Sequence, residues 1–246
     1  PIIENNIGED FFYVRAEEPE TCVSKILQMV MKNIPERWHL DPLRDVQVLC
    51  PMKAAPMGTM ALNNTLQYHL NKNVQIGLKQ AELKEKTVSN MTSEEREFLR
   101  QHREEIPFIH NKYKTFAVGD KVMQTKNNYD KEVFNGDVGY ITYINTKEKT
   151  VSIDFGANDE DRRPLVYKYD ELDEIVLAYA CTIHKSQGSE YPVVLIPVMN
   201  QHFMMLQRKL LYTGVTRGKQ LVILVSRMRF NGLFVVKRWS LVGIPS

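Results

Sequence analysis

The stretch TIHKSQGSEYPVVLIPV, residues 182–198, decides the fold. Its second half, from Val193 to Val198, is wholly apolar, as a strand is when helices cover both faces of its sheet. Its first half predicts the end of a short helix running through His184, then a polar loop punctuated by Gly188. His184, Lys185, Ser186, Gln187, Ser189 and Glu190 thus fall at the edge of a parallel sheet, where open α/β folds bind ligands. The plain alternative is a loop whose polar side chains only cap backbone groups. Functional groups concentrate on loops held by a rigid scaffold, which favours the first reading.

Downstream lies LYTGVTRGK, residues 211–219, at the end of a helix predicted from about Phe203 to Thr213 and ahead of a strand over Leu221–Val225. An arginine in Arg217's position can reach a nucleotide phosphate carried by a neighbouring domain and stabilise charge there. It can equally be a solvated residue in a helix's last turn, favoured by the helix dipole. Upstream, Phe11–Ala16 predicts a strand. A helix opened by Pro19 follows, with Val23, Ile26, Leu27, Val30 and Met31 on one face, and Pro35 is expected to end it. Asp45–Cys50 reads as another strand. A Pro/Gly loop with Lys53 comes next, then a helix from about Gly58 to Asn71 with Leu62, Leu66 and Leu70 at four-residue spacing. A strand, a loop and a helix N-terminus in that order suit an anion. Strand–helix alternation on both sides of the chain predicts one parallel α/β domain split in sequence.

The middle reads differently. Residues 78–112 are highly charged, and Thr92-Ser93-Glu94-Glu95 forms a capping-box pattern ahead of a helix through about Glu105. From Phe116 to about Asp170 the pattern is all β, with strands expected over 120–126, 137–145, 149–155 and 164–169. Asn135-Gly136 and Lys147-Glu148-Lys149 are expected as turns. Short strands at this spacing predict a small barrel. The expected division is 1–77 with 175–246 for the sheet, 78–114 for a helical insertion and 115–174 for the barrel.

Bulk properties set limits. The chain has 246 residues, 43% of them apolar and 25% charged, with a net charge of +2, which excludes a disordered polyelectrolyte. Charge is unevenly placed. No acidic residue occurs from Pro192 to Ser246, whereas eight basic ones do, so that end can face polyanions. Cys22, Cys50 and Cys181 are too far apart in sequence for a C-x-x-C zinc or redox motif, and buried thiols in a reducing compartment are expected. No apolar run approaches the roughly 20 residues of a membrane span. Pro1 to Asn6 lacks the charged and apolar regions of a signal peptide, and a chain without an initiator Met fits a fragment.

Three segments read in order, 48–67, 182–198 and 211–219, resemble motifs IV, V and VI of superfamily 1 DNA helicases of the RecD/TraA type. The segment AVGDKVMQTKNNYDKEVFNGDVGYI, residues 117–141, resembles the start of the SH3-like barrel which that family inserts in its second RecA-like domain. The resemblance implies a RecA-like parallel sheet with helices on both faces, interrupted by that barrel. It implies that Arg217 contacts the γ-phosphate, with Glu190, Gly188, Gln187 and Lys53 near the nucleotide. Thr182, His184, Lys185, Ser186 and Thr216 are implied to lie against single-stranded DNA. Gly214 and Gly218 stand where the family has Ala, and the loop around Lys53 lacks the arginine usual near motif IV.

No G-x-x-x-x-G-K-[ST] occurs: before the only Gly-Lys pair, Gly218-Lys219, Thr213 stands where the first glycine belongs. Asp170-Glu171 and Asp173-Glu174 do not end apolar strands, so neither reads as a magnesium-holding site. The implied role is therefore half of an ATP-driven 5′→3′ motor, inactive alone. ATP and Mg²⁺ would be bound with a first RecA-like domain upstream. Single-stranded DNA is the expected partner, nuclease-complex subunits are possible further ones, and the cytoplasm is the expected location. The rival reading is a non-catalytic nucleic-acid or protein-binding module built on the barrel and the basic C-terminal stretch.

Overall fold

The apolar run at Val193 becomes the centre of a parallel sheet. The computed structural model describes residues 5–6, 10–53, 58–110, 114–156, 164–199 and 208–227. The chain divides into two compact units, Pro1–Asn64 with Tyr179–Ser246, and Thr65–Ala178, which groups residues 65–77 with the barrel and not with the sheet.

The first unit is built from strands β1 (Asn5–Asn6), β2 (Phe11–Arg15) and β3 (Val46–Cys50), and helices α1 (Pro19–Gln28) and α2 (Ile34–Trp38). Helix α3 (Thr59–Leu70) begins in it, and its last part is β11 (Ala180–Thr182), β12 (Tyr191–Val198), α6 (Arg208–Val215) and β13 (Gly218–Ser226). The six strands form one sheet in the order β1-β2-β13-β12-β3-β11, parallel throughout except for β1 against β2. All five residues of β3 and seven of eight in β12 are buried, as strands covered on both faces must be.

Three expectations are corrected here. Pro35 does not end the first helix. Residues Met29–Asn33 widen into a π-helical turn, in which the Ile34 N–H reaches back to the Met29 carbonyl, and Pro35 sits in the first turn of α2, where it has no helical donor to lose. The segment ahead of His184 is not a helix: β10 (Ile175–Leu177) and β11 are strands, and the chain then makes a 3₁₀ turn over Ile183–Ser186. The last strand starts at Gly218, not Leu221, because the Tyr191 N–H already pairs with the Arg217 carbonyl at 2.8 Å. The predicted start of α6 at Phe203 lies outside the described residues.

In the second unit, β6 (Lys121–Gln124), β7 (Val138–Asn145), β8 (Thr150–Asp154) and β9 (Leu165–Lys168) pair antiparallel with β10 in the order β10-β6-β7-β8-β9. Val122, Ile141, Ile144, Val151, Ile153 and Tyr167 fill its core. The charged segment is two helices, α4 (Lys72–Lys84) and α5 (Ser93–Gln101), followed by the hairpin β4 (Phe108–His110) and β5 (Thr115–Ala117). The Thr92/Glu95 capping box is present in both directions. Helix α5 stops at Gln101, short of Glu105, because the buried Gln80 amide takes up the backbone beyond it, bonding the His102 and Glu104 carbonyls and the Ile106 N–H. The buried Asp120 carboxylate anchors this unit's α3 segment, accepting from Gln67 at 2.6 Å and Asn71 at 2.7 Å. No helix among the described residues is long and apolar enough to cross a membrane.

Candidate functional site

Strand register separates the candidate residues into two groups at opposite ends of one sheet. Thr182 pairs with Cys50, the last residue of β3, and Lys53 follows three residues on. Val193 pairs with Val46, the first residue of β3, and Tyr191 pairs with Gly218. Glu190 and Arg217, which immediately precede Tyr191 and Gly218, therefore lie at the amino ends of the strands. At about 3.3 Å per residue, the four steps from Val46 to Cys50 separate the two ends by at least about 13 Å. The sheet-edge rule used in reading the sequence names the carboxyl ends. Only Lys53, Thr182 and the turn after Thr182 obey it.

The amino-end group is built around Arg217. Its guanidinium is half-buried and donates from Nε to the Thr213 carbonyl at 3.2 Å, from Nη1 to the Ser189 carbonyl at 3.3 Å and from Nη2 to the Thr216 hydroxyl at 3.2 Å. All three acceptors are neutral, and no carboxylate pairs with Arg217 among the described residues. Its orientation is fixed while its charge stays available, which is what an anion-sensing arginine requires. Glu190, the nearby carboxylate, is taken by Lys219 at 3.0 Å. The Lys219 ammonium holds the Glu190 carboxyl below its ordinary range, with a smaller push from Arg217. Gln187 is exposed in the same loop, and Gly188 adopts φ +86°, a backbone conformation that side-chain-bearing residues resist. Thr216, expected against DNA, accepts from Arg217 and bonds the Thr213 carbonyl through its own hydroxyl. Gly214 packs closely against the sheet: a Cβ there would meet the Ile196 Cδ1 at 3.0 Å and the Ile183 Cδ1 at 3.2 Å, so an alanine would require those side-chain ends to give by a few tenths of an ångström.

At the carboxyl end, Lys53 and Lys185 are the charged groups. Lys53, expected with the nucleotide-facing residues, is not brought to Arg217. Burial lowers the Lys185 pKa, and the like charge of Lys53 lowers it further, which marks the two ammonium groups as neighbours. His184 is exposed beside them. Thr182 and Ser186, expected against nucleic acid, bond within the turn. The Thr182 hydroxyl caps it by accepting from the Lys185 N–H at 3.3 Å, and the fully buried Ser186 hydroxyl donates inward to the Ile183 carbonyl at 2.8 Å.

Sequence reasoning missed Asn63, whose buried side chain brackets the backbone of Ala180 with two bonds of 2.8 Å. Its one signal was an amide beside the leucine stripe of α3, repeated at Gln67 and Asn71 at four-residue spacing. No group of His, Cys, Asp and Glu that could hold a metal occurs among the described residues. The three cysteines are buried, and burial raises the Cys22 thiol to about 12 and pushes the Cys50 thiol up as well, which disfavours their reactive thiolates.

Comparison with known proteins gives the following. Residues 177–225 match the family model for a UvrD-like helicase C-terminal domain, and residues 95–155 match that for an ATP-dependent RecD-like DNA helicase SH3 domain. The chain is similar to the ATP-dependent RecD2 DNA helicase of Deinococcus radiodurans, 38% identical over 101 residues, 41% of this chain and 13% of that protein. It is similar to the RecBCD enzyme subunit RecD of Buchnera aphidicola subsp. Schizaphis graminum, 24% identical over 230 residues, 89% of this chain and 32% of that one. The RecBCD enzyme subunit RecD of Mycobacterium tuberculosis is 36% identical over 107 residues, 44% of this chain and 18% of that one. The chain thus spans a third or less of the length of these relatives.

Proposed function

We propose that this chain, in which residues 177–225 match a UvrD-like helicase C-terminal domain and residues 95–155 a RecD-like DNA helicase SH3 domain, supplies the second half of an ATP-dependent DNA motor. ATP is bound by a first RecA-like domain in the longer protein. The amino ends of β12 and β13 face that nucleotide, and Arg217 stabilises the charge that develops on the transferred phosphoryl group. Ser189, Thr213 and Thr216 hold the guanidinium ready, so little reorganisation is needed when the cleft closes. Glu190, neutralised by Lys219, adds no net negative charge where the phosphates approach. Mg²⁺ would be held with the nucleotide by that first domain and would neutralise its phosphates.

The carboxyl end takes the single strand. Lys53, His184 and Lys185 present cationic and polar groups to its phosphates. Opening and closing of the nucleotide cleft moves this end along DNA in the 5′→3′ direction. A cytoplasmic location follows from that role, as does assembly with nuclease-complex subunits if the longer protein works as the RecBCD-type relatives do.

The observation that carries the reading is the oriented, unneutralised Arg217 guanidinium at the amino end of the sheet. In the full-length protein, Arg217→Ala should lower ATP turnover by about 10³-fold or more, the usual worth of such an arginine. Turnover within a few-fold of the parent's would remove the role. The 246-residue chain by itself should show no ATP turnover above background.

A further inference from the structure

We propose that Asn63 is a positioning residue that stands in for the missing next strand of the sheet, and so sets how the DNA-facing turn is held. The inference rests on the functional reading above for the role of that turn, but not for the clamp.

Strand β11 is only three residues long and forms one edge of the sheet. On its inner side it pairs with β3, and the Tyr179 carbonyl accepts there from the Val48 N–H. The Ala180 N–H and carbonyl both point the other way. In a wider sheet a seventh strand would meet them with one acceptor and one donor. Asn63 offers that same pair from a helix: its Oδ1 accepts from the Ala180 N–H and its Nδ2 donates to the Ala180 carbonyl, each at 2.8 Å. Asn63 is 8% exposed, so water does not substitute for it, and losing the amide would leave two backbone groups unmatched.

The position of the clamp gives it consequence. Ala180 lies two residues before Thr182, which caps the turn carrying His184 and Lys185. Asn63 lies in the first turns of α3, the helix that follows the loop bearing Lys53. One amide therefore ties α3 to the edge strand whose following turn carries His184 and Lys185. Leu62, fully buried next to it, keeps the helix from turning the amide away. Asn63 acts through the turn that carries Lys185.

The test uses the full-length protein with Asn63→Ala and, as the control, Gln67→Ala. Gln67 is an equally buried amide one turn further along α3, bonded to the Thr115 carbonyl and Asp120 instead. Two readouts are taken: the oligothymidine concentration giving half-maximal stimulation of ATP turnover, and amide hydrogen exchange across Ala180–Lys185. Asn63→Ala should raise the half-saturating concentration about tenfold and speed exchange across that segment by at least about tenfold, the scale set by two lost hydrogen bonds. Gln67→Ala should do neither, although both lower the melting temperature. Asn63→Ser, which keeps a hydroxyl able to donate and accept, should fall between Asn63→Ala and the parent, and serves the same comparison if the alanine variant does not fold. Unchanged exchange at Ala180 overturns the clamp. Faster exchange with an unchanged half-saturating concentration, or an equal shift in Gln67→Ala, overturns the positioning role. A parent protein indifferent to oligothymidine overturns the functional reading, and the exchange result then still reports on the clamp alone.

Discussion

The two ends of the parallel sheet use their charges in opposite ways. At the amino end, Arg217 is half-buried, bonded on three sides by neutral oxygens, and accompanied by a carboxylate that a lysine has already claimed. At the carboxyl end, Lys185 is partly buried and feels the like charge of Lys53, and no carboxylate pairs with either among the described residues. A group that must recognise one compact anion at one moment gains from being fixed in advance, since its rotamer freedom is already lost. Groups that follow a sliding polyanion gain from mobility and from charge that only phosphates neutralise.

Beyond the turnover loss expected at Arg217, three experiments would break or sharpen this contrast. The largest effect should come from the double variant Lys53→Ala/Lys185→Ala in the full-length protein. Single-strand affinity at low salt should fall by about tenfold or more, and the slope of log affinity against log salt should shrink by about 1.4, as two lost phosphate contacts dictate. A slope equal to the parent's would mean that the carboxyl end does not meet phosphates.

Thr216→Val comes next. It removes one of the three acceptors of the Arg217 guanidinium while keeping side-chain volume, so turnover should fall by about tenfold, the worth of one hydrogen bond to a charged group. Single-strand affinity should hold. A drop in affinity without a drop in turnover would return Thr216 to the DNA-facing group in which its sequence context had put it.

The smallest effect concerns Glu190. Its carboxyl titrates below the ordinary glutamate value because Lys219 binds the charged form. A depressed carboxylate adds stability at pH values above its unfolded pKa, and that contribution is lost as pH falls through the folded value. In Lys219→Ala the midpoint, followed by carbon-detected NMR of the side-chain carboxyl, should move up towards that of a free glutamate. An unmoved midpoint would show that something other than Lys219 holds it down.

The sequence reading reached the elements more readily than their placement. The apolar run at Val193, the capping box at Thr92 and the barrel strands from Lys121 to Lys168 were legible because each is a local pattern of side chains. Pro35 misled because a π-helical turn, which no propensity rule announces, absorbed it. The division of the site was hidden for a different reason. Thr182 and Glu190 are eight residues apart in sequence, yet they lie at opposite ends of β3, and only strand order reveals that. Lys53, expected beside the nucleotide-facing residues, follows the carboxyl end of β3, and Thr216, expected with the DNA-facing ones, bonds Arg217. Asn63 was invisible because an amide beside leucines looks the same whether it faces water or a strand edge.

The most direct measurement compares Arg217→Ala and Lys185→Ala in the full-length protein, each titrated with single strand while ATP turnover is followed. The account predicts that Arg217→Ala lowers maximal turnover by about 10³-fold and moves the half-saturating strand concentration by no more than about twofold. Lys185→Ala should raise that concentration about fivefold and leave maximal turnover within about twofold. Both variants moving the same parameter by similar factors would contradict the separation of the sheet into a nucleotide end and a strand end.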